Sequence, residues 1–343
     1  MNYSTDNLYD IICSGITETT RFSFTSSNSS FTECERTHNS SPHTYLGTNS
    51  NDDEQNGEGK DFGNKQVVLD HSSTHNFISC LWRNCLAALG GAISFRSLTE
   101  SSLIMNKCTF YSCGSSSSSV WTDGGGAISA FNVRSVSLSG CLFVSCSHTS
   151  GSGGGINMYT ILHQAYINYC VFISCSAWDD GGCAAIWDSK ALDNPIACLN
   201  CRFIKGTAKG SGSGSGGHLI FFNTYYIACS NCLFSDSEAD LGAFYFLYSS
   251  YCSGKYPLIF SFFNNNSAAK HGNDAALDNY APNDNNPLFL HCASTSSPNR
   301  VGFWYNNRWD KTDVIWLPLN NIVSTYLIFI SLLMKHEQVK VRL

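Results

Sequence analysis

Charged residues are scarce in this chain of 343 residues, because Lys, Arg, Asp and Glu together make up only 13% of it. That is about half the share of an average soluble protein. The formal net charge is −6, and no block of basic residues occurs in the sequence. A protein that follows a nucleic-acid backbone needs clustered Lys and Arg side chains. We therefore expect no nucleic-acid partner.

Two kinds of signal are also missing. Residues 1–15 have neither a basic start nor a long apolar run, so no secretory signal is visible. The glycine runs lack the Lys-Ser/Thr pair that a phosphate-binding loop requires. Apolar residues nevertheless make up 43% of the chain. This share is near the globular norm and excludes disorder throughout.

What the sequence does contain is a repeat. Its pattern is Cys-x-aromatic-x-x-Cys, then a bend rich in Ser, Gly and Asp, then Gly-Gly-Ala-Ile or a relative of it. One copy runs from Cys141 to Cys146 and continues to Gly154-Gly155-Ile156. The last two copies have Gly206 and Ser237 in place of the second cysteine. Successive copies begin 28, 33, 29, 31 and 31 residues apart, at Cys80, Cys108, Cys141, Cys170, Cys201 and Cys232.

Each repeat predicts short β-strands separated by bends. At the Cys-x-Phe position, Cys141 and Phe143 alternate with Leu142 and Val144, so the two pairs point to opposite faces of a strand. No apolar stripe with a 3.6-residue period lies between the strands, which disfavours βαβ units and helical solenoids. The pattern predicts an all-β fold, a right-handed parallel β-helix (a solenoid) with about 30 residues per coil.

Equivalent residues of successive coils stack about 4.8 Å apart in such a fold. The sequence therefore predicts a buried column of aromatic rings, with the first cysteine of each repeat packed beside it. This predicted ladder consists of Cys80, Cys108, Cys141, Cys170, Cys201 and Cys232 together with Phe110, Phe143, Phe172, Phe203 and Phe234.

The 17 cysteines allow two interpretations. Their equivalent repeat positions favour small, mostly free core residues, whereas a disulfide framework is the alternative; the sequence leaves both open. Zinc is disfavoured, because the Cys-x2-Cys pairs at Cys198 and Cys229 have no nearby ligand pair of the zinc-finger type. We expect neither a metal nor a cofactor.

Composition divides the chain into four segments. Residues 1–37 are predicted to form an N-terminal coil or cap, residues 38–66 a polar flexible loop, and residues 67–300 the β-helix. Residues 301–343 are predicted to be a C-terminal cap or a weak membrane anchor. The apolar run Ile322–Met334 has 13 residues, fewer than the roughly 20 that cross a bilayer. Membrane association through this run stays open.

Loop length varies at one position of the repeat, between the second cysteine and the glycines. The longest of these loops are Gly114–Asp123 and Gly206–Gly216. Variation confined to one corner predicts that the loops share one edge of the solenoid, where a binding function would lie. Trp121 and Trp178 occupy similar positions in these loops, and we expect each to cover the base of its loop rather than to stack on a sugar ring.

The repeat resembles that of the chlamydial polymorphic outer-membrane proteins and the related surface repeats of some parasitic protists. The motifs that carry the resemblance are Gly90-Gly91-Ala92-Ile93, Gly125-Gly126-Ala127-Ile128 and, for the Phe-x-x-Asn motif, Phe262-Phe263-Asn264-Asn265. Most other copies have Cys in place of that Asn, and the likeness covers residues 67–280. The resemblance implies a β-helix of the pectin-lyase-like class that is displayed at a cell surface and linked to adhesion.

The same fold class includes polysaccharide lyases and hydrolases, which need converging carboxylates. Asp179 and Asp180, with His218 about one coil later, loosely resemble the Asp-Asp and Gly-His-Gly elements of polygalacturonase-like enzymes, although the Asn-Thr-Asp and Arg-x-Lys elements are missing. These three residues are weak catalytic candidates. We interpret Asp180 as a turn residue of the repeat, and a stacked carboxylate column that binds Ca²⁺ is a weaker alternative. The recurring acidic residues are Asp123, Asp180, Asp240 and Asp274.

Three functions remain as hypotheses. The first is a non-enzymatic protein, at the cell surface or extracellular, that binds a protein or glycan ligand through its loop edge. The alternative is a carbohydrate-active β-helix enzyme, which requires Asp179, Asp180 and His218 to share one groove. The third is a purely structural spacer.

Overall fold

The computed structural model describes residues 61–69, 74–96, 99–116, 124–188, 196–210, 214–224, 227–247 and 261–278. It also describes short strand segments at 44–46, 57–58, 258–259, 289–290, 293–294, 301–305 and 308–311. Within these ranges the chain forms a parallel β-solenoid with about 29 residues per turn and no helix. The predicted all-β parallel β-helix is thereby confirmed.

Three sheets run along the solenoid, and seven successive turns of the chain contribute a strand to both sheet B and sheet C. Sheet B has nine strands: Asp61–Gly63, Leu81–Arg83, Thr109–Tyr111, Leu142–Val144, Val171–Ile173, Arg202–Ile204, Leu233–Ser235, Phe262–Asn264 and Ala293–Ser294. Sheet C has seven: Leu86–Ala87, Gly114–Ser115, Ser147–His148, Ser176–Ala177, Thr207–Ala208, Glu238–Leu241 and Ser267–His271.

Sheet A is the largest, with 18 strands. Ile128–Ser139 and Ile156–Asn168 run through it without interruption, whereas the other turns cross it as two shorter strands. The remaining strands of sheet A are Thr44–Leu46, Gly57–Glu58, Gln66–Leu69, Thr74–Ile78, Ile93–Arg96, Ser102–Asn106, Ala184–Trp187, Ile196–Leu199, Leu219–Phe222, Ile227–Ser230, Phe244–Leu247, Leu258–Ile259, Ala275–Asp278, Phe289–Leu290, Val301–Tyr305 and Arg308–Lys311.

The aromatic column forms as predicted. In sheet B, Phe143 pairs in register with Phe110 on one side and Phe172 on the other. The ring centroids of Phe143 and Phe172 are 4.6 Å apart with an interplanar angle of 5°. Such offset stacking is a favourable arrangement for aromatic rings. The column is longer than the sequence indicated, because it also includes Phe62, Trp82 and Phe263.

Each cysteine of the repeat follows a sharp corner. The residue before it has a φ between 50° and 62°, the left-handed conformation, in which the chain turns from one sheet into the next. The thiol of Cys146, for example, lies 3.6 Å from the carbonyl oxygens of Val144 and of Phe110 in the preceding coil. Cys141 makes the equivalent pair of contacts. The thiol therefore gives inward-pointing carbonyl groups at the corner a hydrogen-bond donor.

All 13 cysteines among the described residues are buried and free. For this part of the chain, the structure agrees with the interpretation of stacked core thiols rather than a disulfide framework. The other four cysteines, Cys13, Cys34, Cys252 and Cys292, lie outside the described residues.

Asn266 shows why Cys and Asn are interchangeable at the second cysteine position. Its Nδ2 donates to the carbonyl oxygen of Phe234 in the preceding coil at 3.0 Å, the same type of bond that the Cys146 thiol makes. Phe263 stacks on Phe234 and is fully buried, whereas Phe262 is only half-buried. The repeat unit is therefore Phe263-x-x-Asn266, which corrects the predicted Phe262-x-x-Asn265 by one residue.

The solenoid also extends past its predicted limits. Asp61–Gly63 pairs with Leu81–Arg83, so the array begins before residue 67, within the segment that was predicted to be a flexible loop. Beyond residue 300, Val301–Tyr305 pairs in parallel with Ala275–Asp278, and Arg308–Lys311 returns antiparallel to it. Residues 1–37 and the apolar run Ile322–Met334 lie outside the described residues.

Candidate functional site

His218 lies inside the solenoid, with no part of its side chain exposed to solvent. It precedes Leu219 of sheet A and occupies the place that Ala127 takes in an earlier repeat. Room for the larger ring comes from Gly206, where the second cysteine is missing, because a Cβ atom on Gly206 would lie 2.3 Å from His218 Nδ1. The larger His218 ring thus fills the space that the second cysteine of the repeat would occupy.

The His218 ring is fixed by two contacts. Its Nε2 lies 3.0 Å from the carbonyl oxygen of Ser235, which can only accept, so Nε2 carries the proton. Nδ1 is then free to accept from the thiol of Cys183 at 3.5 Å. Burial lowers the pKa of His218 to about 3 and raises the pKa of Cys183. The pair is therefore neutral at pH 7, unlike the thiolate–imidazolium pair of a reactive cysteine.

Asp180 lies at a turn, as predicted. Its Oδ1 accepts a hydrogen bond from the backbone N–H of Ser215 at 2.7 Å, which ties the turn to the following coil. Burial raises the pKa of Asp180 to about 7, and the neighbouring charge of Asp179 adds to this effect. Asp179 is half-buried, and desolvation raises its pKa as well.

The three weak catalytic candidates do not share one exposed groove. Asp179 and Asp180 lie at the surface turn, whereas His218 is enclosed by the core rings of Phe203 and Phe234. A polysaccharide on the outside of the solenoid cannot reach the His218 imidazole. General acid–base chemistry needs hydrogen-bond reach to the substrate, which His218 does not have in this arrangement.

The acidic residues before the glycines do not form a continuous column. Asp274 is fully buried, and its Oδ1 accepts a hydrogen bond from Asn266 Nδ2 at 3.1 Å. It precedes Ala275, which pairs with Phe244, so it occupies the interior position equivalent to His218 rather than the turn position of Asp180. Asp123 lies outside the described residues. In the described part of the chain, no three His, Cys, Asp or Glu side chains are grouped to hold a metal ion.

The loops between sheet C and sheet A form what we call the glycine edge, which consists of residues 148–153 and 177–181 and the described ends of two further loops, 115–116 with 124–125 and 208–210 with 214–216. Glycine is required here because neighbouring backbone atoms lie too close for a side chain and because some of these positions have a positive φ. Gly125 has a φ of 93°, and a Cβ atom on it would lie 1.9 Å from the carbonyl oxygen of Ile128. Since only glycine adopts this geometry without strain, the corner can close tightly while the loop before it varies in length.

Trp178 projects from the glycine edge. Its side chain is 50% exposed, which differs from the prediction that it covers a loop base. Its backbone N–H donates to the carbonyl oxygen of His148 at 3.0 Å, and the N–H of Asp179 donates to that of Gly151 at 3.1 Å. The indole is therefore held on a backbone that is paired to the preceding coil. No sequence signal indicated this exposure, because nothing in the sequence distinguishes Trp178 from the fully buried Trp82 and Trp187.

A second variable edge exists, which sequence reasoning missed. Sheet A breaks into two strands between Arg96 and Ser102, between Trp187 and Ile196, and between Phe222 and Ile227. Loop variation is therefore not confined to one corner, which corrects the expectation from the sequence. Along this second edge runs an aromatic row, Phe131, Tyr159, Trp187 and Phe222.

The rings of the aromatic row contact one another, although Phe131, Tyr159 and Phe222 stay half exposed. Phe131 and Tyr159 stack with centroids 5.5 Å apart, and Trp187 and Phe222 lie 5.0 Å apart. Trp187 has only 1% of its surface exposed. These ring contacts join neighbouring coils, so the row adds a second set of packing contacts on the outside of sheet A.

The chain matches no protein-family model, and no curated protein and no solved structure is significantly similar to it. None of the described segments is a helix long and apolar enough to cross a membrane.

Proposed function

We propose that this protein is a non-enzymatic β-solenoid, displayed at a cell surface or secreted, that binds an extracellular protein or glycan through the glycine edge. The observation that carries the proposal is the exposed Trp178 on a rigid backbone, in the corner where loop length varies. Binding residues are commonly placed on variable loops that a rigid scaffold holds in position. The resemblance of the repeat to surface-displayed families supports the location.

The interior supports the same proposal. The 13 described cysteines and His218 are buried, and their contacts are those of structural residues. The solenoid repeats one coil many times, which produces a long surface with loops at fixed intervals. This is an arrangement suited to presenting a ligand-binding edge.

A carbohydrate-active enzyme is the alternative, and one observation favours it. Asp179 and Asp180 are adjacent carboxyl groups in a surface turn, and Asp180 has its pKa raised to about 7. A protonated carboxyl beside an ionised one is the combination that glycosidases use. If this alternative holds, the full chain releases new reducing ends from a polysaccharide, and Asp180→Asn abolishes that release.

Binding can be tested with the purified full chain and cultured cells, measuring adhesion of fluorescent protein by flow cytometry. A glycine-edge variant combines Trp178→Ala with Thr149→Arg, since Thr149 is exposed beside Trp178 on the preceding coil. The matched control combines Tyr111→Ala with Ser145→Arg, both on the sheet B side and exposed.

We expect the glycine-edge variant to lose adhesion and the control to retain it. Equal adhesion of the wild type and both variants would place the binding surface elsewhere and contradict the proposal. No adhesion of the wild-type chain to any cell type or matrix would instead favour the spacer hypothesis.

A further inference from the structure

The chemistry around Trp178 indicates which class of ligand this edge takes, an inference that rests on the proposed function. The indole is half exposed, and none of the described rings stacks against it. Its neighbours along the edge are small or polar, with Thr149 on the preceding coil and Lys209 on the following one. A single exposed indole among small and polar groups lacks the well-packed pocket in which protein-binding hot spots cluster.

The environment of Trp178 is also pre-organised. The loop of the following coil passes directly against it, since a Cβ atom on Gly210 would lie 2.6 Å from the carbonyl oxygen of Trp178 and 3.0 Å from Asp179 Oδ1. A Cβ atom on Gly214 would likewise lie 3.0 Å from the carbonyl oxygen of Asp179. Because Gly210 and Gly214 have no side chain, this loop packs directly against Trp178 and Asp179, and the indole stays exposed. A ligand would therefore bind without first ordering these groups.

The charges beside the indole restrict the ligand further. Asp179 is a half-buried carboxyl with no ion-pair partner among the described residues. Lys209, the nearest cation along the edge, is already paired with Glu238. On the coil after that, Lys270 pairs with Asp240, their atoms 3.6 Å apart. No unpaired cation among the described residues of this edge can hold a carboxylate or sulfate group, and Asp179 would repel one.

We propose that Trp178 and Asp179 form a subsite for a neutral glycan, with the indole against the apolar face of one sugar ring and the Asp179 carboxylate accepting a hydrogen bond from a sugar hydroxyl. A planar ring with an adjacent hydrogen-bonding group matches a sugar, which has an apolar face and a polar rim. Acidic glycans such as uronate or sialic acid polymers are disfavoured by the same geometry. This separates the subsite from a pectin-cleaving site, whose substrate is a polyuronate.

The test uses the full chain on an array that presents the same oligosaccharide cores in neutral and sialylated or uronate-containing forms, followed by calorimetry with the best neutral oligosaccharide. The variants are Trp178→Ala and Asp179→Asn, and the control is Tyr111→Ala, since Tyr111 is 49% exposed on sheet B, close to the 50% of Trp178. Because Trp178 is outside the core, its replacement should leave the thermal unfolding midpoint unchanged, which circular dichroism checks.

We expect neutral glycans to bind, Trp178→Ala to weaken the affinity by about tenfold or more, and Tyr111→Ala to leave it unchanged. Neutral-glycan binding that survives Trp178→Ala overturns the subsite. Preference for acidic glycans overturns the charge argument. If the array shows no binding while cell adhesion still depends on the glycine edge, the ligand is a protein, so the glycan inference fails and the proposed function stands. Absence of both overturns both.

Discussion

Replacing Phe172 by alanine should remove one ring from the middle of the aromatic column. Phe172 is fully buried, and its centroid lies 4.6 Å from that of Phe143 and 5.0 Å from that of Phe203. Phe→Ala substitutions in packed cores cost about 3–5 kcal/mol. Two ring contacts are interrupted here, each worth about 0.5–1.5 kcal/mol beyond the buried area. We therefore expect a loss in the upper part of that range, about 4–5 kcal/mol.

The assay is equilibrium unfolding of the full chain in urea, followed by far-ultraviolet circular dichroism. Tyr111→Ala is the control, because Tyr111 belongs to sheet B, as Phe172 does, but its side chain points outward and is 49% exposed. A surface substitution of this kind usually changes the free energy of unfolding by less than about 0.5 kcal/mol.

The comparison is decisive in both directions. A large shift of the unfolding midpoint for Phe172→Ala with little change for Tyr111→Ala supports a solenoid held together by its central column. Equal and small shifts for the two variants would refute the reasoning, because a ring that is stacked on both faces could then be deleted without cost.

Three further predictions concern the corners and buried polar groups. Gly125→Ala should destabilise the fold far more than Gly140→Ala in the same denaturation assay, because both positions have positive φ but only at Gly125 would a Cβ atom approach backbone within 1.9 Å. Asp180 has a pKa of about 7 in the folded state against 3.8 in the unfolded state. Its contribution therefore favours folding below pH 3.8 and is lost as the pH rises to 7, a change of at most roughly 4 kcal/mol in the free energy of unfolding. Asp180→Asn should remove this pH-dependent contribution when stability is measured across the same pH range. Asn266→Ala should cost about 1–3 kcal/mol more than the same change at the exposed Asn265, since it leaves buried partners without a donor; thermal unfolding of the two variants checks this, and equal melting temperatures would contradict it.

The architecture could be predicted from sequence because stacking makes the repeat visible. Parallel strands in register place Phe143 directly between Phe110 and Phe172, so the same residue type recurs once per coil. A column in which each ring contacts its own kind leaves a periodic pattern in the chain. For the same reason, the cysteines and the Gly-Gly-Ala-Ile motif recur about once per coil.

The corners could not be predicted in this way. The residues that adopt the left-handed conformation before the second cysteine position include Ser145, Lys205 and Asp236, which share no side-chain chemistry. Their conformation is imposed by the sheets on either side of the corner rather than by local preference. The Phe262-Phe263 pair posed a related difficulty, because either ring fits the sequence motif and only the packing against Phe234 selects Phe263.

The site was less predictable than the fold. Whether His218 faces solvent or core depends on Gly206, whose missing side chain provides the space for the ring. These two residues belong to different parts of one coil, and their contact follows only from the completed turn. The exposure of Trp178 likewise depends on how the loop of the following coil passes beneath it. Local sequence carries neither piece of information.

The central claim is that one sequence repeat forms one coil of a solenoid, and deletion of a whole repeat tests it most directly. Removing residues 141–169 joins Gly140 to Cys170, so that Phe172 would stack on Phe110 and Cys175 would follow Cys113. The control deletes residues 141–155, which removes part of a coil and shifts every later strand out of register.

The measurement is far-ultraviolet circular dichroism during thermal unfolding of both deletion variants. We expect the whole-repeat deletion to keep a β-type spectrum and a cooperative transition, and the partial deletion to lose both. If the whole-repeat deletion unfolds like the partial one, the repeat is not the structural unit, and a solenoid built from one coil per repeat is contradicted.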